Sequence, residues 1–449
     1  MKKVLSVITI LVVTSAIKAQ PFAGAHYLSK DAILTQIINP AFPAASDMKW
    51  QANFFGFDAS LGNNHFSLVG KPKDWIKHWD KNAYVQENLD GKPKNLFIGF
   101  NVMGPSFMYR IKKNTISFGT RVRAITTFND LDENFITSLY NDFSHIQNWN
   151  SSFNDTRLTG SVNVFHEFNL GYARSFKLKE RHYLHAGASV KMTTNIFNAQ
   201  LSVNHLDFNR YYNIGMSDTM INAGNTEFEL LVSNAVTDND FNYHFGINGF
   251  GIDAGAIYEF RKKNSEEHIL MVGFSVNDIG FNEYKTGKYS RSFVGNNQDV
   301  PLSHLVESDN YTNINIDAIL DSLGDYTIPS KKQKIYLPTT INVFLDARIV
   351  SKFYVNANFQ FNPLSFKHGL GKANMPNDIT ITPRFETRIF SVFTPLNWNK
   401  YEGINFGAGV KIAQFTLGSK NIITSFAKKR FTGINFYMNV GFGKVKKKE

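Results

Sequence analysis

The chain has no cysteine among its 449 residues. Disulfide scaffolds, thiolate metal sites and cysteine nucleophiles are therefore excluded. Past the first twenty residues it also has no apolar run near the length of about 18 that marks a membrane helix. Zinc-protease spacing is missing: His166-Glu167 has no second histidine four residues after the first. Charge is only mildly one-sided, with 48 Lys and Arg against 37 Asp and Glu, a formal +11. A basic balance can mark nucleic-acid binding, but the N-terminus speaks for export and against nucleic acid. Acidic partners would then be lipid head groups or polysaccharide.

What is present begins with a three-zone leader. Met1-Lys2-Lys3 is positive, Val4 to Ile17 is mostly apolar, and Ala19 offers a small residue for cleavage. The apolar run is shorter than the roughly 20 residues that span a bilayer. The expectation is a signal peptide over 1–19. Aromatics are plentiful, with 41 Phe, 18 Tyr and 5 Trp. A membrane protein without apolar helices must cross as a closed sheet, because lipid satisfies no open backbone group.

Alternation supplies that sheet. Ile116, Phe118, Val122 and Ala124 share one face, while Ser117, Gly119, Arg121 and Arg123 share the other. Val162, Val164, Phe168, Leu170 and Tyr172 oppose Asn163, Glu167 and Asn169. Leu184, Ala186, Ala188, Val190 and Met192 oppose His185, Ser189, Lys191 and Thr193. Later, Val343 and Leu345 oppose Asp346 and Arg348, and Ile379, Ile381 and Phe385 oppose Arg384, Glu386 and Arg388. Period two places successive side chains on opposite sheet faces. These runs exceed the usual soluble strand of about 5–6 residues and suit tilted membrane strands of about 9–11. An Arg facing lipid at mid-bilayer costs about 2–4 kcal/mol. The charges Arg121, Arg123, Glu167, Asp346, Arg348, Arg384, Glu386 and Arg388 are therefore expected to face a polar lumen.

Connections alternate short and long. Brief basic turns occur at Lys112-Lys113-Asn114, 177–182, 261–267 and Ser351-Lys352, and long stretches at 129–157, 201–240 and 277–337. Short periplasmic turns with long external loops are the membrane-barrel rhythm. The expected fold is an all-β, transmembrane antiparallel β-barrel over 48–449. Candidate strands number about 12 to 15, and the even-number rule selects 14. Residues 50–70 read as one kinked strand or two, and 413–431 is ambiguous. Three loop stretches read as helices: 74–89 with Trp75 and Trp79, 131–149 with Phe135, Leu139 and Phe143, and 315–323 followed by Gly324 as a C-terminal cap. Their apolar stripes either pack on the barrel rim or form an external cleft for an apolar ligand. Segment 20–47 is too irregular for a strand, and its prolines suit a hatch-like piece folded into the lumen or tucked beneath it.

Enzymatic signals are weak. Gly249 to Gly255 superficially resembles a phosphate loop but lies inside an alternating strand. Ser189 and His185 share a face yet sit four residues apart on one strand, too far for a nucleophile–base pair. Asp218, Asp238 and Asp240 match no calcium-loop spacing. The expectation is no catalysis, no metal and no cofactor.

Several short motifs carry a resemblance. They are Asn39-Pro40-Ala41, the run Ile116 to Arg123, Gly249 to Ala256, Val276-Asn277-Asp278-Ile279-Gly280, Leu337-Pro338-Thr339 and Phe415 to Ser419. Together they span nearly the whole mature chain. They resemble a family of uncharacterised Bacteroidota outer-membrane proteins, itself similar to FadL-like hydrophobic-compound transporters and to PorV of the type IX secretion system. The resemblance implies a 14-stranded barrel in the outer membrane and places Asn39, Pro40 and Ala41 in a hatch, for which 20–47 is short. It implies passive uptake of hydrophobic small molecules, with outer-membrane lipid as surroundings. The other reading is a non-transporting accessory barrel for secretion or gliding machinery, with a secretion-system protein as partner. A lipid-modifying enzyme is a distant third.

Overall fold

The computed structural model describes residues 21–26, 28, 31–70, 80–140, 151–235, 246–301, 303, 316–366, 369–387 and 389–446. The expected leader lies outside them. Fourteen strands form one closed ring. They are β1 (Met48–Asn63), β2 (Lys94–Met103, continuing as Ser106–Ile111), β3 (Asn114–Leu131), β4 (Ser151–Lys179), β5 (His182–Asn213), β6 (Gly249–Arg261) and β7 (His268–Lys285). The second half holds β8 (Thr340–Val350), β9 (Phe353–Phe361), β10 (Asp378–Glu386), β11 (Phe390–Phe393 and Leu396–Asn399), β12 (Gly403–Phe406 and Ala408–Ile412), β13 (Phe415–Ser419) and β14 (Gly433–Val445). Each strand pairs antiparallel with the next. The ring closes where β14 pairs with β1, from Trp50 opposite Lys444 to Phe55 opposite Val440.

Burial runs opposite to that of a soluble sheet. On β3, Ile116 and Phe118 are 50% and 41% exposed, while Arg121 and Arg123 are buried. On β8, Val343 and Leu345 are exposed and Asn342 and Asp346 are buried. The same sorting puts Val190, Phe250, Phe274, Ile379 and Ile381 outside. A closed ring with an apolar outer surface and a polar interior is stable in hydrocarbon, where every backbone group must find a partner within the sheet. The protein resides in the outer membrane. Arg174 is an exception to the sorting: it stands exposed on the outer face, near the turn, over the Phe176 ring at 5.5 Å.

The external stretches differ from expectation. Instead of loops over 201–240 and 277–337, β5 runs to Asn213 and β7 to Lys285. Short strands Asp218–Asn222, Glu227–Val232, Arg291–Gly295, Asp299–Pro301, Gly324–Thr327 and Lys332–Tyr336 pair alongside them. These pieces stand outside the membrane, where no lipid imposes an apolar face, so alternation cannot reveal them. Within 74–89, only Lys81–Tyr84 is helical among the described residues, and Val85–Glu87 is a strand against Phe66–Val69. Residues 50–70 hold two strands, and 413–431 holds β13 and the helix Ile422–Ala427. Helices also form at Glu133–Tyr140 and Ile316–Leu323. Gly324 opens a strand and does not cap the second of them; a side chain there would strike the Val294 carbonyl.

Candidate functional site in the lumen

Residues between 21 and 47 lie inside the ring. Phe22, Ala23, Ala25, Leu28, Ala32, Leu34, Asn39, Ala41 and Ala44 have no exposed surface, and Phe42 has 1%. Two short helices shape the segment. Asp31 caps α1 (Ala32–Gln36) by accepting from the Leu34 amide at 3.2 Å. Pro43 sits in the first turn of α2 (Phe42–Ala45), where its missing N–H costs nothing. Apolar side chains from the segment form two clusters with the wall. One joins Phe22, Leu28, Ile33 and Leu34 to Met103, Met108, Phe393 and Tyr437. The other joins Ile38, Ala41 and Phe42 to Ile257, Met271 and Phe344.

The Asn39-Pro40-Ala41 turn fits a seat cut by glycine. Gly187 on β5, Gly255 on β6 and Ser275 on β7 lie in one cross-strand row. A Cβ on Gly187 would overlap the Pro40 carbonyl, and one on Gly255 would overlap the Asn39 side chain. On the neighbouring strand a Cβ at Gly171 would press on Gln36. Asn39 donates to the Phe274 carbonyl at 3.1 Å and accepts from the Ala41 amide at 2.9 Å. The Ile38 carbonyl accepts from Ser275 and from Asn277, each at 2.6 Å. Arg110 clamps the other end, donating to the Pro43, Ala44 and Ser46 carbonyls at 2.6, 2.9 and 2.8 Å. At the front, the Phe22 amide donates to Asp58 at 2.6 Å and the Ala32 amide to Gln51 at 2.8 Å.

Charged side chains fill the rest of the wall's inner face. Arg121 donates to Glu167 at 2.8 Å, and Arg123 bridges Glu167 and Asp278 at 3.2 and 2.8 Å. Lys191 reaches Asp253 at 2.8 Å and Asp278 at 2.5 Å. Three cations thus meet three carboxylates, which neutralises the buried cluster. A second group ties Arg384 to Asp346 (2.5 Å) and Glu386 (3.0 Å), with His268 on Asp346 at 2.7 Å. Such lattices contribute little net stability when intact but cost several kcal/mol when one member is lost. Arg348, expected among them, lies at the short-turn rim and pairs with Glu267 at 2.6 Å. Its place at the end of β8 carries it past the enclosed lumen. Arg388 lies outside the described residues.

His185 finds a partner that strand spacing did not reveal. Its Nδ1 is 2.8 Å from Ser175 Oγ on β4, and its Nε2 is 2.8 Å from Glu259 on β6. Ser189 bonds Asp253 at 2.6 Å. The cross-strand register that joins Ser175 to His185 is invisible to periodicity along one strand. Ser175 also donates to the Ala44 carbonyl at 3.0 Å, so this trio props the internal segment. Among the loop residues, Phe135 packs with Leu131, Leu158 and Val203 on the external hairpin. Leu139 lies on the same helix. Trp75, Trp79, Phe143, Asp238 and Asp240 lie outside the described residues. Asp218 starts a short external strand.

β2 breaks at Gly104-Pro105. The Gly104 amide still donates to the Thr120 carbonyl at 3.0 Å, but Pro105 has no N–H to offer. A cavity of about 40 Å³ lies behind the break. Ile33 and Ile37 from the internal segment, Met103 and lipid-facing Phe118 line its apolar part, and Arg121, Glu167 and Lys191 its polar floor. The wall is thus closed at this point by α1 as well as by the sheet.

A strand ring with a membrane-facing apolar surface, filled from within by its own N-terminal residues, defines an outer-membrane β-barrel with an internal plug. The chain belongs to the family of unknown function DUF5723, whose model matches residues 40–419. No curated protein matches it. Solved structures to which it is similar include a Pseudomonas aeruginosa FadL homologue, at 11% identity and a TM-score of 0.44, covering 96% of this chain and 98% of that one. The Pseudomonas putida toluene transporter TodX is similar at 8% identity and a TM-score of 0.40, covering 95% and 97%. A deltaS2S3 mutant of the TodX monoaromatic hydrocarbon channel gives 8%, 0.46, 95% and 100%.

Proposed function

We propose that the barrel admits small hydrophobic compounds passively and that residues 20–47 are its hatch. The observation that carries this reading is the cavity at the β2 break. It joins a lipid-facing ring, Phe118, to apolar residues of the hatch, Ile33 and Ile37. At about 40 Å³ it has room for a few water molecules and not for an aromatic solute. Passage therefore requires α1 to withdraw, which opens a route between lumen and hydrocarbon along the ionic floor of Arg121, Glu167 and Lys191. Phe, Ile and Met surfaces suit a solute with no hydrogen-bonding demand. In cells deleted for the gene, uptake of labelled aromatic hydrocarbons and fatty acids is expected to fall. Unchanged uptake of every compound would sink the reading.

A second reading rests on the external hairpin. β4 and β5 are 29 and 32 residues long, far beyond the roughly 9–11 that cross the membrane. Just past the end of β5, Ile214 and Met216 are 84% and 60% exposed, with Tyr212 beside them. An exposed apolar tip suits a protein partner, as an accessory barrel of a secretion or gliding system would need. Photocrosslinking from position 214 that captures no protein would remove this reading.

A further inference from the structure

We propose that one half of the periplasmic rim is a docking arc for anionic phospholipid head groups of the inner leaflet. Ring order carries the argument. The turns β2–β3, β4–β5 and β6–β7 follow one another around the ring. They or their flanking strand ends present Lys112, Lys113, Lys177, Lys179, Lys262 and Lys263, all exposed. The turns of the opposite half are different. The β8–β9 turn holds Lys352, the sequence joining β10 to β11 carries Arg388 as its one charge, and the β12–β13 turn, Ala413-Gln414, holds no charge. Three acids lie on the basic turns: Glu267 is engaged by Arg348 at 2.6 Å, Glu266 by Lys446 at 3.8 Å, and exposed Glu180 offsets one cation of the β4–β5 turn. The arc therefore keeps a strong excess of positive charge.

The direction of the cations selects the partner. Lys49 stands over the Tyr109 ring at 5.5 Å, Arg174 over Phe176 at 5.5 Å and Arg181 over Phe260 at 4.3 Å. Tyr109 and Phe176 are exposed on the outer face, and Phe260 follows Phe250 and Ile252 on the same face of β6. These cations lie at the membrane edge of the wall, level with an aromatic belt, where head groups sit. An acidic soluble protein would instead approach from below. Lysines near a membrane surface each contribute through attraction to anionic lipid, and the effect fades with salt.

The test uses the full-length protein in bilayers of phosphatidylethanolamine with added phosphatidylglycerol. Native mass spectrometry reads which lipid stays bound. The arc predicts selective retention of phosphatidylglycerol, reduced on the order of tenfold in K112Q/K113Q/K177Q/K179Q and unchanged in K352Q on the opposite half. All five positions are exposed turn or strand-end residues, and folding of each variant is checked by heat-modifiable gel mobility. Equal retention of both lipids would overturn the proposal, as would loss in K352Q equal to that in the quadruple variant. Binding of soluble polyglutamate to the detergent-solubilised protein, with no lipid preference, would overturn it in favour of an acidic protein. Failure here leaves the uptake reading standing, since no arc residue lines the hatch.

Discussion

Among single residues, the internal segment and the ionic lattice depend on a few positions where a side chain is either missing or indispensable. Gly187→Ala places a methyl against the Pro40 backbone, which cannot yield as a flexible side chain would. Unseating is expected to cost the hatch about 1–3 kcal/mol while the ring still folds. Limited proteolysis should then cleave within 20–47 in G187A and spare it in wild type; equal protection in both would contradict the seat. In the lattice, Arg384→Gln takes the buried guanidinium away from Asp346 and Glu386 and leaves His268 as the side chain on Asp346. A loss of about 3–5 kcal/mol is expected, read from the urea midpoint in micelles. The triple variant R384M/D346N/E386Q should recover most of it, because the cost lies in the unpaired charge. The inward place of Arg121, Arg123, Glu167, Asp346, Arg384 and Glu386 was legible in alternation, since lipid tolerates none of them. Their pairings were not, because they depend on register between strands up to 155 residues apart in sequence, as for Arg123 and Asp278.

At the scale of elements, the hatch is the mobile candidate. Burial of His26 holds its imidazole down to about 4 from an ordinary 6.5. The seated hatch thus favours the neutral ring. This contribution is complete above pH 6.5. It drains away as pH falls from 6.5 towards 4, where the released chain takes up a proton that the seated one refuses. The slope is at most about 1.4 kcal/mol per pH unit. Hydrogen-exchange protection in the hatch, taken relative to the intrinsic exchange rate at each pH, should fall between pH 6.5 and 4.5, and His26→Gln should flatten that fall; the same fall in both proteins would rule out His26 as its source. Membrane-spanning strands are readable in the sequence because hydrocarbon enforces period two. The external strands, such as Glu227–Val232, are not, because water on their flanks enforces nothing. The internal segment was legible only as an irregular, proline-bearing stretch. Its seat could be suspected from inward glycines such as Gly187 and Gly255, but the cross-strand row that aligns them appears only in three dimensions.

At the scale of the whole molecule, a ring turned inside out leaves a filled interior and, at Gly104-Pro105, a break in the wall with α1 behind it. The Gly104-Pro105 break was not read from the sequence, and its meaning depends on α1 lying directly behind it. On the uptake reading proposed above, withdrawal of α1 opens the barrel to hydrophobic solutes. The absence of native cysteine makes a lock specific. Ile33→Cys on the hatch and Met103→Cys on β2 belong to one apolar cluster and line the same cavity. Bond formation is checked by mass after alkylation. Oxidised I33C/M103C protein in liposomes should admit no more of a membrane-partitioning aromatic dye than empty liposomes do, and reductant should restore wild-type entry. Dye entry through the oxidised, locked barrel at the wild-type rate would contradict the account.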